Sequence, residues 1–322
     1  MRASQAFRRS ILVLGAILFA SLVPGMAGAQ ALRDCPPDAA PPTRELFAAA
    51  AANARDRGLL WRVSRGGHSS HLYGTLHVGR AGWMAPGPLV RAALRASDTI
   101  GLELDPLDET LHRDMAAAMA ARPPARLPAA LQERLRKAWA AACLPEEARA
   151  GMAAEMQAIT VVMLSVRRDG LQVMHGSEVL LSLLGRGGGR NVISLESPAL
   201  QLQAMLAGDD AEAAEMVQGM LDQLDDGRVA RVIRKTIAVW ESADLAELER
   251  FREWCECTST DSDRKFMARL LEGRNPGLAD RIEALHTQGR RVFAGVGAAH
   301  MAGPEGLPAL LRARGFTVER LR

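Results

Sequence analysis

Residues 291–318 read RVFAGVGAAHMAGPEGLPALLRARGFTV, and this stretch does most to decide the fold. The apolar run from Arg291 to Val296 predicts a buried strand. A helix is predicted over Pro304 to Arg314, because a proline and an acidic residue begin it and a glycine ends it. Phe316 to Leu321 predicts a second strand. A strand, a helix and a strand in succession predict a βαβ unit whose two strands pair in parallel.

The amino-terminal part of the chain supplies further strands. Leu59 to Val63 and His71 to Val78 mix apolar, β-branched and aromatic residues on either side of the polar residues 65–69, which predicts a hairpin. Thr99 to Leu104 predicts a short buried strand. The same reasoning predicts helices over Thr43 to Arg57 and over Ala85 to Ser97.

Between Pro106 and about Gly289 the apolar residues recur almost everywhere at helical spacing. One exception, Arg190 to Leu195, predicts a strand. We therefore expect an α/β fold with a central mixed sheet. The sheet comes from the amino- and carboxy-terminal segments as two similar halves, each with a Gly-x-x-His strand end. A large, mainly helical middle lies at about 106–290, in a domain that spans 58–322 and follows a leader and short helix at 30–57.

Residues 1–29 have the order of features typical of a cleavable signal peptide. Three arginines precede an apolar run from Ile11 to Val23, and small residues then predict cleavage after Ala29. The run is shorter than the about 20 residues of a membrane span, although an uncleaved anchor is the alternative. We expect a periplasmic or secreted protein with no stable membrane span, and the pair Arg8-Arg9 leaves twin-arginine export open beside the general route.

The charge of the chain excludes one class of partner. The whole chain has a formal net charge of +3, and the predicted signal peptide holds three arginines and no acidic residue. The mature chain is therefore neutral overall. A neutral chain gives no electrostatic reason to expect nucleic acid or an anionic membrane surface as a partner.

The chain has four cysteines, Cys35, Cys143, Cys255 and Cys257. An even number in an exported protein favours two disulfides, and the sequence leaves all three pairings open. The alternative is a metal site at Cys255-x-Cys257, although metal-binding cysteine pairs usually have two residues between them.

Two Gly-x-x-His motifs stand at the ends of predicted strands, one ending at His77 and the other at His300. Ligand sites in open α/β sheets form at the carboxyl ends of strands, so we expect the two imidazoles to converge. Gly74 and Gly297, which begin the motifs, would let backbone or a ligand approach closely. Histidine is a common metal ligand and the usual acid or base near neutral pH.

The segment GLELD at 101–105 adds two carboxylates. Glu103 and Asp105 are two residues apart in a predicted strand, so we expect them on the same side. Carboxylates beside two histidines could bind a divalent metal or activate a water. The alternative is structural: Glu103 pairs with an arginine and Asp105 ends the strand. His286 lies in a polar context, and we expect it to be solvated.

These segments together resemble the TraB/GumN family, in which a GTxH motif and a G-x-x-H-(L/M)-x-G-x-x-G-L motif flank a helical middle. The similarity covers about residues 58–322. Met301 stands where leucine is usual, and Glu178 stands where aspartate is frequent. The matching stretches are LYGTLHVG at 72–79, GLELD at 101–105, the carboxy-terminal stretch quoted above and, more loosely, Gly176-Ser177-Glu178, Leu195-Glu196 with Gln201, and Arg274-Asn275.

The resemblance implies a fold related to the erythromycin-esterase and ChaN-like proteins. Animal relatives are described as peptidases that use Mn or Co. This implies a metal-dependent, peptidase-like hydrolase with a Mn, Co or Zn ion and a peptide or protein substrate. In that picture His77, His300 and Glu103 hold the metal or act on its water, and Arg274 acts with them. The supporting residues would be Gly74, Thr75, Asp105, Glu178, Glu196, Asn275 and Gly297.

Two other functions stay open from the sequence. ChaN-like relatives bind haem, so the protein could be a non-enzymatic metal- or haem-binding envelope protein. Tyr73, the single tyrosine, would then be a candidate haem ligand, although its neighbours indicate a core position. The family name also suggests an accessory protein of envelope polysaccharide export. The oligomeric state is not predicted.

Overall fold

The computed structural model describes residues 35–322, so the predicted signal peptide lies outside the described residues. A six-stranded sheet lies between two layers of helices. The strands are β1 (Leu60–Arg65), β2 (His68–Thr75), β3 (Thr99–Leu102), β4 (Asn191–Ser194), β5 (Val292–Gly297) and β6 (Thr317–Leu321). The helices are α1 (Arg44–Ala51), α2 (Pro88–Ala96), α3 (Glu109–Ala120), α4 (Ala129–Ala141), α5 (Ala154–Ser165), α6 (Ser177–Gly187), α7 (Pro198–Met205), α8 (Asp210–Asp225), α9 (Arg228–Glu241), α10 (Leu245–Glu249), α11 (Phe251–Trp254), α12 (Asp261–Leu270), α13 (Asn275–Thr287) and α14 (Leu307–Ala313).

The sheet is mixed, as predicted, and its strand order is β4-β3-β5-β2-β1-β6. The first four strands in this order run parallel, whereas β1 is antiparallel to both of its neighbours. The predicted pairing of the last two strands is wrong. β5 and β6 point the same way, but the β1–β2 hairpin lies between them, and β6 instead covers the free edge of β1.

The predicted hairpin between β1 and β2 is confirmed, with a tight two-residue turn. Arg65 and His68 are paired across the turn, and Gly66 and Gly67 between them have φ values of 63° and 84°. Two consecutive positive φ angles are typical of the hairpin turn that suits the twist of the strands, and glycine adopts them without a steric penalty. β2 ends at Thr75, so His77 lies in the loop beyond it.

Each face of the sheet buries its own apolar core. On one face, Trp61 and Val296 pack with residues of α13 and α14. On the other face, Ile100 and Phe293 pack with residues of α2, α6 and α9. Burial of one such large side chain contributes roughly 1.5–3 kcal/mol, so the two cores hold the strands firmly in register. The strand ends are therefore a rigid base for a site.

The predicted helical middle is confirmed, and β4 interrupts it at the predicted position. Helices α4, α5 and α8 share a separate core that includes Leu135, Ala158 and Val217. Among residues 35–322, no helix combines the length and the apolar character that a membrane crossing needs.

The cysteines form two disulfides, Cys35–Cys143 and Cys255–Cys257.

Three local predictions were wrong. α1 ends at Ala51, and the Asp56 carboxylate beyond it instead accepts the Leu89 and Val90 N–H groups in the first turn of α2, at 3.1 Å each. The last helix begins at residue 307 and not at 304. His286 is buried and not solvated, and its ring nitrogens find hydrogen-bond partners in the Ser70 hydroxyl and the Arg65 carbonyl.

Candidate active site

The four parallel strands all end at the same edge of the sheet, and each is followed by one of the candidate residues. His77 follows β2, Glu103 follows β3, Glu196 follows β4 and His300 follows β5. Pairing between the strands keeps these ends level, since Leu102 lies beside both Gly295 of β5 and Ser194 of β4. The fold therefore brings together residues that are far apart in the chain.

The Glu103 carboxylate is held by three donors. Its Oε1 accepts the Gly297 N–H at 2.6 Å, and its Oε2 accepts from Arg274 Nη2 and from Gln201 Nε2, the latter at 3.3 Å. A Cβ at residue 297 would lie only 3.1 Å from Glu103 Oε1. A side chain at the glycine that ends β5 would therefore push the Glu103 carboxylate slightly away from the backbone N–H.

Arg274 bridges two buried carboxylates. Its Nε donates to Glu196 Oε1 at 3.0 Å, and its Nη2 lies against both Glu196 Oε2 and Glu103 Oε2. All three side chains are less than a tenth exposed. Burial lowers the pKa of Arg274, but the bonds to Glu196 and Glu103 outweigh it and raise that pKa overall. Arg274 is the residue directly before α13, so the start of this helix fixes the position of its backbone.

The charge of Glu103 depends on these neighbours. Burial alone would raise the pKa of Glu103, but His300, Arg274 and His77 together lower it to about 2. The carboxylate is therefore ionised at any ordinary pH. With Glu196 and Arg274 it forms a buried group in which two carboxylates share one guanidinium.

Hydrogen bonds fix the tautomer of His300. Its Nδ1 lies 2.6 Å from Asn275 Oδ1, while Asn275 Nδ2 donates to the Glu305 carbonyl at 2.7 Å. Since that second bond fixes the amide oxygen toward the ring, Nδ1 must carry the hydrogen and donate. Nε2 is then an unprotonated nitrogen, and it lies 3.4 Å from Arg274 Nη1 and 4.0 Å from Glu103 Oε1. Burial lowers the pKa of His300 to about 4, so the ring is neutral at neutral pH.

His77 is the exposed member of the group. Its side chain is 58% exposed, and its Nδ1 lies 2.9 Å from Oε1 of the largely buried Glu178. Glu178 lies in the first turn of α6, where a carboxylate is favoured by the helix dipole. The negative charge of Glu178 raises the pKa of His77 to about 9. Since Nδ1 faces the Glu178 carboxylate as an ion pair, Nε2 is the ring nitrogen left for a bound molecule.

The structure joins six of the residues predicted for the site in one contact network and pairs His77 with Glu178, whereas Asp105, Gly74 and Thr75 have other contacts. The six are Glu103, Glu196, Arg274, Asn275, Gly297 and His300. Asp105 lies apart from Glu103, because β3 ends at Leu102 and the chain bends there. The Asp105 carboxylate accepts from the Ser182 hydroxyl at 2.6 Å and pairs with Arg186, both on α6. The contacts of both carboxylates therefore fit the structural alternative considered for this pair, since Glu103 pairs with Arg274 and Asp105 follows the end of the strand.

The two motif residues on β2 have different surroundings. The Gly74 carbonyl accepts the Trp240 indole N–H at 2.8 Å, and a Cβ at this glycine would lie 3.3 Å from the Ala298 Cα. The Thr75 hydroxyl is buried and has no hydrogen-bond partner among residues 35–322. Gln201 is the contact that the sequence reasoning did not assign to the site. Its only signal was the loose Leu-Glu-x-x-x-x-Gln match.

The predicted ligands do not fit a metal ion in this arrangement. Within residues 35–322, no three or more His, Cys, Asp or Glu side chains form a group that could hold one. The reason is local: Gly297, Gln201 and Arg274 occupy both oxygens of Glu103, and the guanidinium has the position that a cation would need. The Mn, Co or Zn ion stays a prediction from the sequence, and binding it here would require Arg274 to move.

Tyr73 lies in the core, as its neighbours in the sequence indicated. Its hydroxyl donates to the Arg57 carbonyl at 2.9 Å, and its ring contacts those of Trp240 and Phe293. Burial raises the pKa of this phenol well above its usual value. A phenol held in this way is not free to act as a haem ligand, and the haem hypothesis stays a prediction without this candidate ligand.

Comparison with known proteins gives one result. The model of the TraB/PrgY/gumN family matches residues 59–320, which covers most of the chain and confirms the resemblance seen in the motifs. No curated protein and no solved structure is significantly similar to the chain.

Proposed function

The chain belongs to the TraB/PrgY/gumN family, and we propose that it is a hydrolase of acyl bonds, with peptide bonds as the first candidates. The observation that carries the proposal is the contrast between the two imidazoles at the strand ends. His300 is buried and presents an unprotonated Nε2, whereas His77 is exposed and paired with a carboxylate. Two titratable groups held in opposite states are the usual sign of an acid and base pair.

His300 is the proposed general base. In the resting site His300 Nε2 accepts the Arg274 Nη1–H at 3.4 Å, so the attacking water takes the place of that donor. The water then loses a proton to Nε2 as its oxygen bonds to the substrate carbonyl carbon. The imidazolium that forms is stabilised by the Glu103 carboxylate, 4.0 Å away. Asn275 keeps the ring in the correct tautomer, as the carboxylate of a catalytic triad does for its histidine.

His77 is the proposed general acid. It is charged at neutral pH because Glu178 raises its pKa to about 9, so it can stabilise the developing oxyanion. The bond from carbon to the leaving nitrogen or oxygen then breaks as His77 Nε2 delivers a proton to that atom. Exchange with solvent afterwards restores the charge of both rings.

The carboxylate group around Arg274 has a positioning role in this scheme. Arg274 and the Gly297 N–H hold the Glu103 carboxylate beside His300, and the positive charge of Arg274 disfavours premature protonation of that ring. None of these steps uses a metal. A divalent ion that binds here with displacement of Arg274 would supply Lewis-acid chemistry instead.

The test is hydrolysis of a panel of fluorogenic peptides and simple esters by purified residues 30–322. We expect His77→Ala and His300→Ala each to lower the rate by roughly 10²- to 10⁴-fold, the usual contribution of one acid or base. His112→Ala is the matched control, because this histidine lies on α3 and makes none of the contacts described above. Hydrolysis that survives both substitutions, or that His112→Ala also removes, would refute the proposal.

We also propose that the protein works outside the cytoplasm. Two disulfides within residues 35–322 support an oxidising compartment, since such bonds rarely persist among cytosolic thiols. The predicted signal peptide gives the route. Fractionation of cells that produce the full chain tests this proposal, and the expected product is a periplasmic or secreted protein that begins at residue 30.

A further inference from the structure

The disulfide between Cys255 and Cys257 spans a single residue. The intervening Glu256 has a φ of 52°, in the left-handed region that side chains with a Cβ rarely adopt. The disulfide ring holds this residue in place between α11 and α12. The oxidised form therefore includes an unfavourable backbone conformation that a reduced segment is free to leave.

The two disulfides differ in the length of the chain loop that each closes, which is the property that matters for stability. Cys35 and Cys143 are 108 residues apart, whereas Cys255 and Cys257 are two apart. In the chain-entropy model, the stabilisation by a disulfide grows with the length of the loop that it closes. A bond across one residue therefore contributes little to the folded state, and stability does not explain why it is there.

The two sulfurs also differ in access and environment. Cys255 is buried, whereas Cys257 is only partly buried. The Cys257 N–H lies 3.2 Å from Cys255 Sγ and can donate to it. A thiolate that leaves at Cys255 would keep this donor, which favours its departure. Arg228 and Arg231 lie 3.8 Å from the Glu256 carboxylate and neutralise it, so the carboxylate does not repel an approaching thiolate.

We propose that Cys255–Cys257 is a thiol–disulfide exchange site that oxidises a dithiol substrate, such as a pair of cysteines in a reduced protein. A substrate thiolate bonds to Cys257 Sγ, and the Cys255–Cys257 bond breaks with its electron pair on Cys255 Sγ. The second substrate thiol then attacks the mixed disulfide and releases Cys257. Two electrons and two protons pass from the substrate to Cys255 and Cys257, and the substrate leaves as a disulfide.

The first test measures how easily each disulfide is reduced. The protein is equilibrated with mixtures of reduced and oxidised glutathione, free thiols are alkylated, and each cysteine pair is quantified by peptide mass spectrometry. We expect the Cys255–Cys257 pair to be reduced at a lower ratio of reduced to oxidised glutathione than the Cys35–Cys143 pair. Reduction of both pairs together, or of Cys35–Cys143 first, would overturn the proposal.

A substitution at the intervening residue isolates the backbone effect. Glu256→Gly removes the cost of the left-handed conformation, so its disulfide should have an equilibrium constant for reduction about fivefold lower than that of wild type. Glu256→Ala is the matched control, because it removes the carboxylate but keeps the Cβ. Equal constants for the glycine and alanine variants would show that the ring stores no strain of this kind.

The second test measures the reaction itself. We expect the protein to accelerate oxidation of a fluorescent dithiol peptide by oxidised glutathione about tenfold or more. With a peptide that carries a single thiol, and with oxidised glutathione as the oxidant, Cys255→Ser should hold the peptide in a mixed disulfide through Cys257, whereas Cys257→Ser should form almost none because Cys255 is buried. Two results would refute the proposal. One is the absence of the Cys255→Ser adduct, and the other is a wild-type rate of dithiol oxidation in the variant that combines Cys255→Ser with Cys257→Ser. Neither readout depends on hydrolysis.

Discussion

Replacement of Arg274 by methionine tests the core of the candidate site, because this side chain holds two buried carboxylates together. In wild type, Glu103 has its pKa lowered to about 2 from an ordinary value of 4.5. The stability that this shift contributes is fully present above pH 4.5. It is lost as the pH falls toward and through the pKa of Glu103 in the folded protein. At about 1.4 kcal/mol per pKa unit, the shift corresponds to roughly 3 kcal/mol.

A second argument gives a similar magnitude. Removal of one partner from a buried ion pair typically costs about 3–5 kcal/mol, because the remaining charge loses its compensation. In Arg274→Met both Glu103 and Glu196 would remain, less than a tenth exposed and without the guanidinium. Without the guanidinium, burial raises the pKa of Glu103 above its value in the unfolded chain. The destabilisation should therefore be largest at neutral pH and shrink as the pH falls toward 4.

The assay is urea unfolding of wild type and variant between pH 4 and 8, with the disulfides intact. Arg264→Met is the matched control, because this arginine pairs with Asp261 on the surface, where an ion pair contributes about 0–1 kcal/mol. If Arg274→Met does not fold at neutral pH, Arg274→Lys keeps the charge but loses the two-pronged contact and should give a smaller loss. A cost no larger than that of Arg264→Met, or one independent of pH, would refute the reasoning.

Three further predictions concern activity. Hydrolysis should fall as the pH drops through about 4, where His300 becomes protonated, and as it rises through about 9, where His77 loses its proton; a flat profile of kcat/KM over pH 3–10 would contradict both roles. Dialysis against a chelator should leave hydrolysis unchanged, because Arg274 occupies the cation position; loss of activity that Mn²⁺ or Co²⁺ restores, with the metal found by elemental analysis, would favour the metal-dependent alternative. Gly297→Ala should lower stability by about 1–3 kcal/mol and lower activity as well, because its Cβ would lie 3.1 Å from Glu103 Oε1; a variant with wild-type unfolding and rates would show that the carboxylate can shift without cost.

The strand ends could be predicted from the sequence because they follow from local patterns. Apolar runs that stop at a glycine and a histidine predict strands that lead into loops, and α/β topology then brings such loops to one edge. This reasoning placed His77 and His300, residues far apart in the chain, after two strands that are parallel neighbours in the sheet. It failed for Asp105, because the period-two rule applies only inside a strand and β3 ends before Glu103. It also failed for the partner of β6, because a free sheet edge far away in sequence leaves no local signal.

The cation beside Glu103 is the reason why the mechanism implied by the resemblance, which uses a metal ion, differs from the mechanism that we propose. A carboxylate at a strand end is equally suited to a metal ion or a guanidinium, and its own sequence context is the same in both cases. What decides between them is Arg274, which enters from the start of α13 and already bonds Glu103 and Glu196. A buried arginine with two such partners is unfavourable to displace, since its removal leaves both charges uncompensated. Under the proposed function, chemistry at this edge depends first on the two histidines, whose pKa values the arginine and the carboxylates shift.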